Sequence, residues 1–288
     1  LAADDPARSY VDPFGKPELL CAVSDFDALC GFREVPESIA LLAGLDSPAL
    51  TSTLATLGEA PDTDGLRTAF TALTTLSEPD RRAVAIEVVD SCRWATAEGG
   101  PFAGDYATAA ELGRRYPGDI GAVTALLMNR LQLAPGEAVF LSPGLLHSYL
   151  GGLGIEAMAC SDNVLRGGLT AKAVDVAELL KVGRFEPGPV RPLPAERPQP
   201  GVLVWQPPVR DFGLTRVVLA EAGGRLGLEG SGPRILFCLD GQITADDGTG
   251  PVALRGGQAA WVRSGPSIVS LAGDATVFQI TPGRRADS

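Results

Sequence analysis

Residues 136–172 constrain the fold of this chain more than any other stretch. They read GEAVFLSPGLLHSYLGGLGIEAMACSDNVLRGGLTAK, short apolar runs cut by Pro-Gly and Gly-Gly turns. That punctuation predicts short strands at 138–141, 148–150 and 155–159 in a β-rich core. The same stretch carries polar residues that core packing does not need. His147 is the only histidine of 288 residues, and Glu156, the Ser161-Asp162-Asn163 cluster and Arg166 follow it closely. Held between tight glycine turns, these groups are predicted to face a pocket.

Composition narrows the partners. The chain has 24 basic against 35 acidic residues, a net charge of −11 and a pI near 4.6. Nucleic-acid binders cluster Lys and Arg, so no nucleic-acid partner is expected. Lysine is scarce (Lys16, Lys172 and Lys181), so a lysine inside a motif carries weight. No apolar run reaches the roughly 18 residues that a membrane helix needs, and no secretory leader is visible. The five cysteines, Cys21, Cys30, Cys92, Cys160 and Cys238, are odd in number and widely spaced. They form neither a disulfide framework nor a CxxC metal site, which predicts buried reduced thiols and a cytoplasmic protein.

A length of 288 residues fits two domains, or one with an insertion. Residues 1–33 begin loop-like and turn apolar after Pro17, with Glu18 at the mouth of a strand and 25–32 expected as a turn or short helix. From Glu34 the period becomes helical. Leu66, Phe70, Leu73 and Leu76 recur at spacings of three and four, and Val84, Val88 and Cys92 share a face of the next helix. Glu78-Pro79-Asp80 starts that helix, and Thr108 is the expected cap of another over 108–115. A helix is expected from 120 to Asn129, and a short one over 174–182. Residues 186–210 are rich in proline and read as a linker. Beyond them turn residues fall every eight to twelve positions, as in a small β-sandwich or barrel. The fold class is therefore mainly β with an α insertion. A first β unit spans 1–33 and 116–185, helices fill 34–115, and a second β unit spans 211–288.

Gly136, Ser142, Gly144, His147 and Gly151 are similar to the second motif of the cupin β-barrels, G(X)5PXG(X)2H(X)3N, with Ser142 in the proline slot and Gly151 in the asparagine slot. A histidine on the returning strand points into such a barrel, where a neutral imidazole can bind a divalent metal. The plainer alternative is a structural hydrogen-bonding histidine. The terminal β unit repeats the spacing through Gly257, Arg263, Ser264 and Gly265, with Ile268 in the histidine slot. The resemblance implies a bicupin whose second barrel has lost its metal and has a structural role.

From His147 onward, H-S-Y-L-x-G-x-x-I-E-x-M-A-C-S-D-N-V-L-R-G-G-L-T-A-K resembles the signature of the type I mannose-6-phosphate isomerases. Tyr10-x-Asp12-x-Phe14-Gly15-Lys16-Pro17-Glu18 is similar to that family's other motif, with Phe14-Gly15 in place of its Asn-His. Leu29-Cys30-Gly31-Phe32-Arg33 and Tyr116-Pro117-Gly118-Asp119 also look like family stretches. The resemblance implies one zinc ion per chain with Glu18 and His147 as metal ligands. Two further ligands, a Gln-x-His pair, have no counterpart here, so this chain is expected to lack an N-terminal segment of the family and to be inactive alone. The implied reaction interconverts mannose 6-phosphate and fructose 6-phosphate through a cis-enediol, within GDP-mannose biosynthesis. Arg166 is the expected anion stabiliser, and Lys16, Asp162 and Glu156 are candidates for ring opening and proton relay. A sugar phosphate is the expected partner, with no membrane, and the chain is expected to be a monomer. The rival reading is a non-catalytic sugar-binding or scaffold protein. An iron cupin oxygenase is the weaker rival, since such sites want more than one histidine.

Overall fold

The structure, a computed structural model, describes residues 10–283 apart from 173, 231, 266 and 267. Among these, fifteen strands form four antiparallel sheets and seven helices pack at one side. No helix among the described residues is long and apolar enough to cross a membrane.

The first β unit is two three-stranded sheets. One has β1 (Glu18–Ala22) between β4 (Ala138–Leu141) and β6 (Gly154–Met158). The other has β2 (Phe26–Phe32) between β3 (Met128–Leu133) and β5 (His147–Gly151). Side chains alternate across a strand, and β1 uses both faces. Leu20 and Ala22 join Phe26, Ala28, Cys30 and Leu141 in the interior of this unit. Leu19 and Cys21 face the opposite way, into a cluster with Trp205, Leu214 and Phe278 of the second β unit. Within the stretch 25–32, residues 26–32 are thus a strand, not the expected turn or short helix. Their period is two, and Gly31, at φ +58°, makes the bulge between Cys30 and Phe32 that reads as a turn in sequence.

The helical block lies between β2 and β3: α1 (Val35–Ala43), α2 (Thr51–Glu59), α3 (Thr63–Thr75), α4 (Glu78–Glu98), α5 (Ala103–Arg115) and α6 (Gly121–Thr124). Its caps follow side-chain chemistry: Asp62 accepts from the Asp64 and Gly65 amides, and Ser77 from the Asp80 amide. Leu66, Phe70, Leu73, Val88 and Cys92 form its core, which continues through Leu29, Phe32 and Met128 onto the outer face of the β2 sheet. Buried Arg33 ties the two layers, donating to the Met128 carbonyl and pairing with Glu37 and Asp105. Two helix expectations shift. Thr108 is inside α5, its hydroxyl bonded back to Gly104, because the helix already begins at Ala103. The helix expected to reach Asn129 stops at a 3-10 turn (Ala125–Leu127), because β2 takes Met128–Leu133 as a partner.

The second β unit has β7 (Val202–Trp205), β8 (Gly213–Val218), β10 (Arg234–Cys238), β13 (Gln258–Val262) and β15 (Thr276–Thr281) in a five-stranded sheet. It faces a four-stranded sheet of β9 (Arg225–Glu229), β11 (Gln242–Asp246), β12 (Pro251–Arg255) and β14 (Ile268–Asp274). Strand order repeats between the units: β4-β1-β6 and β3-β2-β5 recur as β13-β10-β15 and β12-β11-β14. Glu18 opens β1 opposite Leu141, and Arg234 opens β10 opposite Val262. The stretch read as a linker is packed: β7 lies within it and Trp205 is fully buried. Ile268, placed by spacing in the histidine slot, is 50% exposed, and Val269 beside it fills the core instead.

Candidate active site

The interior of the first β unit is apolar at one end and polar at the other. Glu18 begins β1, on the same face as Leu20 and Ala22. His147 begins β5, paired with Cys30 across the sheet, so both side chains enter the interior from facing sheets. His147 Nε2 lies 3.2 Å from Glu18 Oε2. Lys16 Nζ lies 3.8 Å from the other carboxylate oxygen. His147 Nδ1 is 3.0 Å from the Leu145 carbonyl oxygen, so that nitrogen carries the hydrogen of the neutral ring. Nε2 then presents a lone pair to a carboxylate. Two acceptors at that distance require a positive charge between them, either a second ring proton or a metal ion. Burial pushes the His147 pKa down, but the Glu18 hydrogen bond, the Leu145 carbonyl and the charges of Glu18 and Glu156 outweigh it and leave the ring more basic than usual. Burial likewise pushes the Glu18 carboxyl up. The His147 hydrogen bond and charge, with Lys16, prevail and hold it below the usual range.

A metal ion fits these two residues: an imidazole oriented through its outer nitrogen and a carboxylate converge on one point. Among the described residues no group of three or more His, Cys, Asp or Glu side chains is placed to hold one.

The pair opens into a cavity of about 690 Å³ with Lys16, Arg166, Asn163 and Ser142 on its wall and Met128 and Leu179 deeper in. Arg166 thus lines the same cavity as the pair. Asp162 is exposed and absent from the wall, and its contact is a backbone one, its amide donating to Asp12. Glu156 also stands off the wall. It faces inward opposite Leu20 and accepts a hydrogen bond from the Tyr149 hydroxyl, whose pKa burial and the carboxylate both raise. Phe14 and Gly15 line the rim. A side chain at Gly15 would meet Pro143 Cγ at 3.0 Å, so this loop packs tightly against the turn before His147 and a larger residue would make Pro143 give by a few tenths of an ångström. Sequence reasoning passed over Asp12 and Tyr149, although both stand in the quoted motifs.

Four of the five cysteines are buried as expected, but Cys160 is exposed, because the strand ends at Met158 and the chain turns outward. Burial pushes Cys21, Cys30 and Cys92 up to about 12, and raises Cys238. A thiol-specific alkylating reagent at pH 8 is expected to label one of the five cysteines, Cys160, until the protein is unfolded. Mass spectrometry of the native adduct checks this, and more than one rapid label would contradict the packing.

No family model matches the sequence. Mannose-6-phosphate isomerase of Escherichia coli is 33% identical over 286 residues, a match covering 97% of this chain and 69% of that protein. The chain belongs to the mannose-6-phosphate isomerase family. The Bos taurus member is 33% identical over 276 residues, covering 87% of this chain and 63% of its own. Among solved structures, a zinc-bound mannose 6-phosphate isomerase has a TM-score of 0.84 at 28% identity, over 99% of this chain and 70% of that one. A variant of phosphomannose isomerase from Salmonella typhimurium gives the same TM-score of 0.84. The likeness to members of the mannose-6-phosphate isomerase family therefore runs through the helical block and both β units, well beyond the two motifs.

Proposed function

We propose that this chain works as a zinc-dependent isomerase that interconverts mannose 6-phosphate and fructose 6-phosphate. The observation that carries the reading is the Glu18–His147 pair, closed to 3.2 Å at the wall of a cavity shared with Lys16 and Arg166. Zinc bound there would hold the sugar oxygens and offset the charge developing on them. Family resemblance puts its other two ligands on a Gln-x-His pair absent from this sequence. Moving a proton between C2 and C1 of the open-chain sugar passes through a cis-enediolate. Arg166, permanently cationic, suits that anion. Lys16 lines the cavity and Asp162 does not, so Lys16 is the better placed residue for ring opening or proton relay.

The repeated strand order supports two cupin-type barrels, with residues 34–115 inserted in the first. In the second, buried Arg234 stands where the first has Glu18, and a guanidinium at a ligand position excludes a metal. A structural role follows for that barrel. The acidic composition and unpaired buried thiols support a cytoplasmic protein acting on a soluble sugar phosphate.

The test is turnover of mannose 6-phosphate by the zinc-loaded full gene product, read as fructose 6-phosphate formed. Arg166→Ala is expected to keep stoichiometric zinc and lose about 10²–10³-fold in kcat, the usual cost of removing one anion-stabilising donor. A parent protein that binds the sugar phosphate without converting it would favour the non-catalytic reading. Unchanged kcat in Arg166→Ala would remove that residue from the reaction.

A further inference from the structure

We propose that Asp12 and Asn163 form a clasp that positions Lys16 and Arg166 over the Glu18–His147 pair. Both are positioning residues, and the proposal rests on the isomerase reading above. The segments carrying Lys16 and Arg166 to the cavity, 10–16 and 159–166, contain neither strand nor helix, and beyond the Ala159 amide, which donates to the Pro17 carbonyl (3.1 Å) where β1 and β6 end, no backbone bond joins them. Among the described residues Arg166 makes no hydrogen bond or ion pair of its own, so it goes where its backbone goes.

What fixes that backbone is one carboxamide and one carboxylate. Asn163 Oδ1 accepts from the amides of Val11 (2.8 Å) and Asp12 (3.3 Å). Its Nδ2 donates to the carbonyls of Asp12 (2.9 Å) and Phe14 (2.9 Å), and to Asp12 Oδ1 (3.1 Å). The Asp12 carboxylate in turn accepts from the Phe14 amide (2.9 Å), the Ser161 hydroxyl (3.0 Å) and the Asp162 amide (3.2 Å). Only a side chain that both donates and accepts fits the Asn163 position, and only an acceptor with several lone pairs fits Asp12. Each segment therefore dictates the course of the other. A displacement of about 1 Å in a group that meets the transition state costs up to about 10²-fold in rate.

The test is a double-mutant cycle joined to hydrogen exchange. In the zinc-loaded full gene product, Asn163→Ala is expected to lower kcat about 10- to 100-fold with little change in KM. In the Arg166→Ala background it is expected to cost clearly less than in the parent, because the share acting through Arg166 is gone and only the share acting through Lys16 remains. Asn163→Asp keeps the size and the acceptor but loses the donors, and is expected to behave like the alanine variant. In both, the amides of Val11, Asp12 and Phe14 should exchange faster while those of α3 and α4 keep their protection. Unaltered exchange at these amides overturns the clasp, and so does a full additive loss in the Arg166→Ala background. A parent protein without turnover counts against the isomerase reading alone, and the exchange comparison then decides the clasp.

Discussion

Replacing His147 by alanine in the full gene product is expected to abolish stoichiometric zinc and lower turnover by about 10³-fold or more, as several kcal/mol of lost charge stabilisation requires. The expectation follows from the absence of any substitute. His147 is the only histidine, and the described residues offer no cluster of three metal-binding side chains. Its outer nitrogen is committed to the Leu145 carbonyl and its inner one faces Glu18, so both contacts fix the orientation of the ring. Removing it leaves Glu18 with Lys16 at 3.8 Å, an ion pair with no reason to recruit a metal. His147→Ala and Arg166→Ala should therefore separate cleanly: the first loses metal and rate together, the second rate alone. Metal analysis beside steady-state kinetics reads both. Zinc kept at one per chain in His147→Ala would remove the histidine from the ligand set.

The stretch 136–172 was legible because its chemistry is local. Turn glycines, a lone histidine and a polar cluster sit within a few strands, and β4, β5 and β6 formed close to where the punctuation put them. The helical block was legible because Leu66, Phe70 and Leu73 keep the spacing of three and four that a buried helix face needs. What escaped was long-range or disguised. β2 hid behind Gly31, whose bulge imitates a turn. β7 hid between prolines at 200 and 207, although Val202, Leu203, Val204 and Trp205 give it an apolar content that a free tether lacks. The bonds between Asp12 and Asn163 span 151 positions, and no local pattern announces them. Asp162, a conspicuous acid in its motif, contributes a backbone amide, while its less conspicuous neighbour Asn163 makes the side-chain contacts.

Trp205→Ala is expected to destabilise the protein by about 3–5 kcal/mol, the cost of an unfilled cavity where a large aromatic was fully buried. Trp205 ends β7 opposite Leu214 and is completely enclosed by Leu19, Cys21, Ala138, Ala157, Phe212 and Phe278. Those neighbours come from both β units, so the loss falls on the seam between them. The seam also bears on the chemistry. Leu19 and Cys21 are the outward side chains of β1, the strand whose inward first residue is Glu18. A cavity beneath them frees β1 to shift, and a carboxylate that must meet His147 within a few tenths of an ångström has little tolerance. The expected result is a lower denaturation midpoint together with weaker zinc binding, and Trp205→Phe should cost roughly half as much because a ring still fills most of the space. A core substitution remote from the seam, Leu254→Ala in β12, should lower the midpoint without weakening zinc in the folded protein. If Trp205→Ala instead costs under about 1 kcal/mol, the two β units are energetically separate. The second unit would then have no part in holding the first in its working shape.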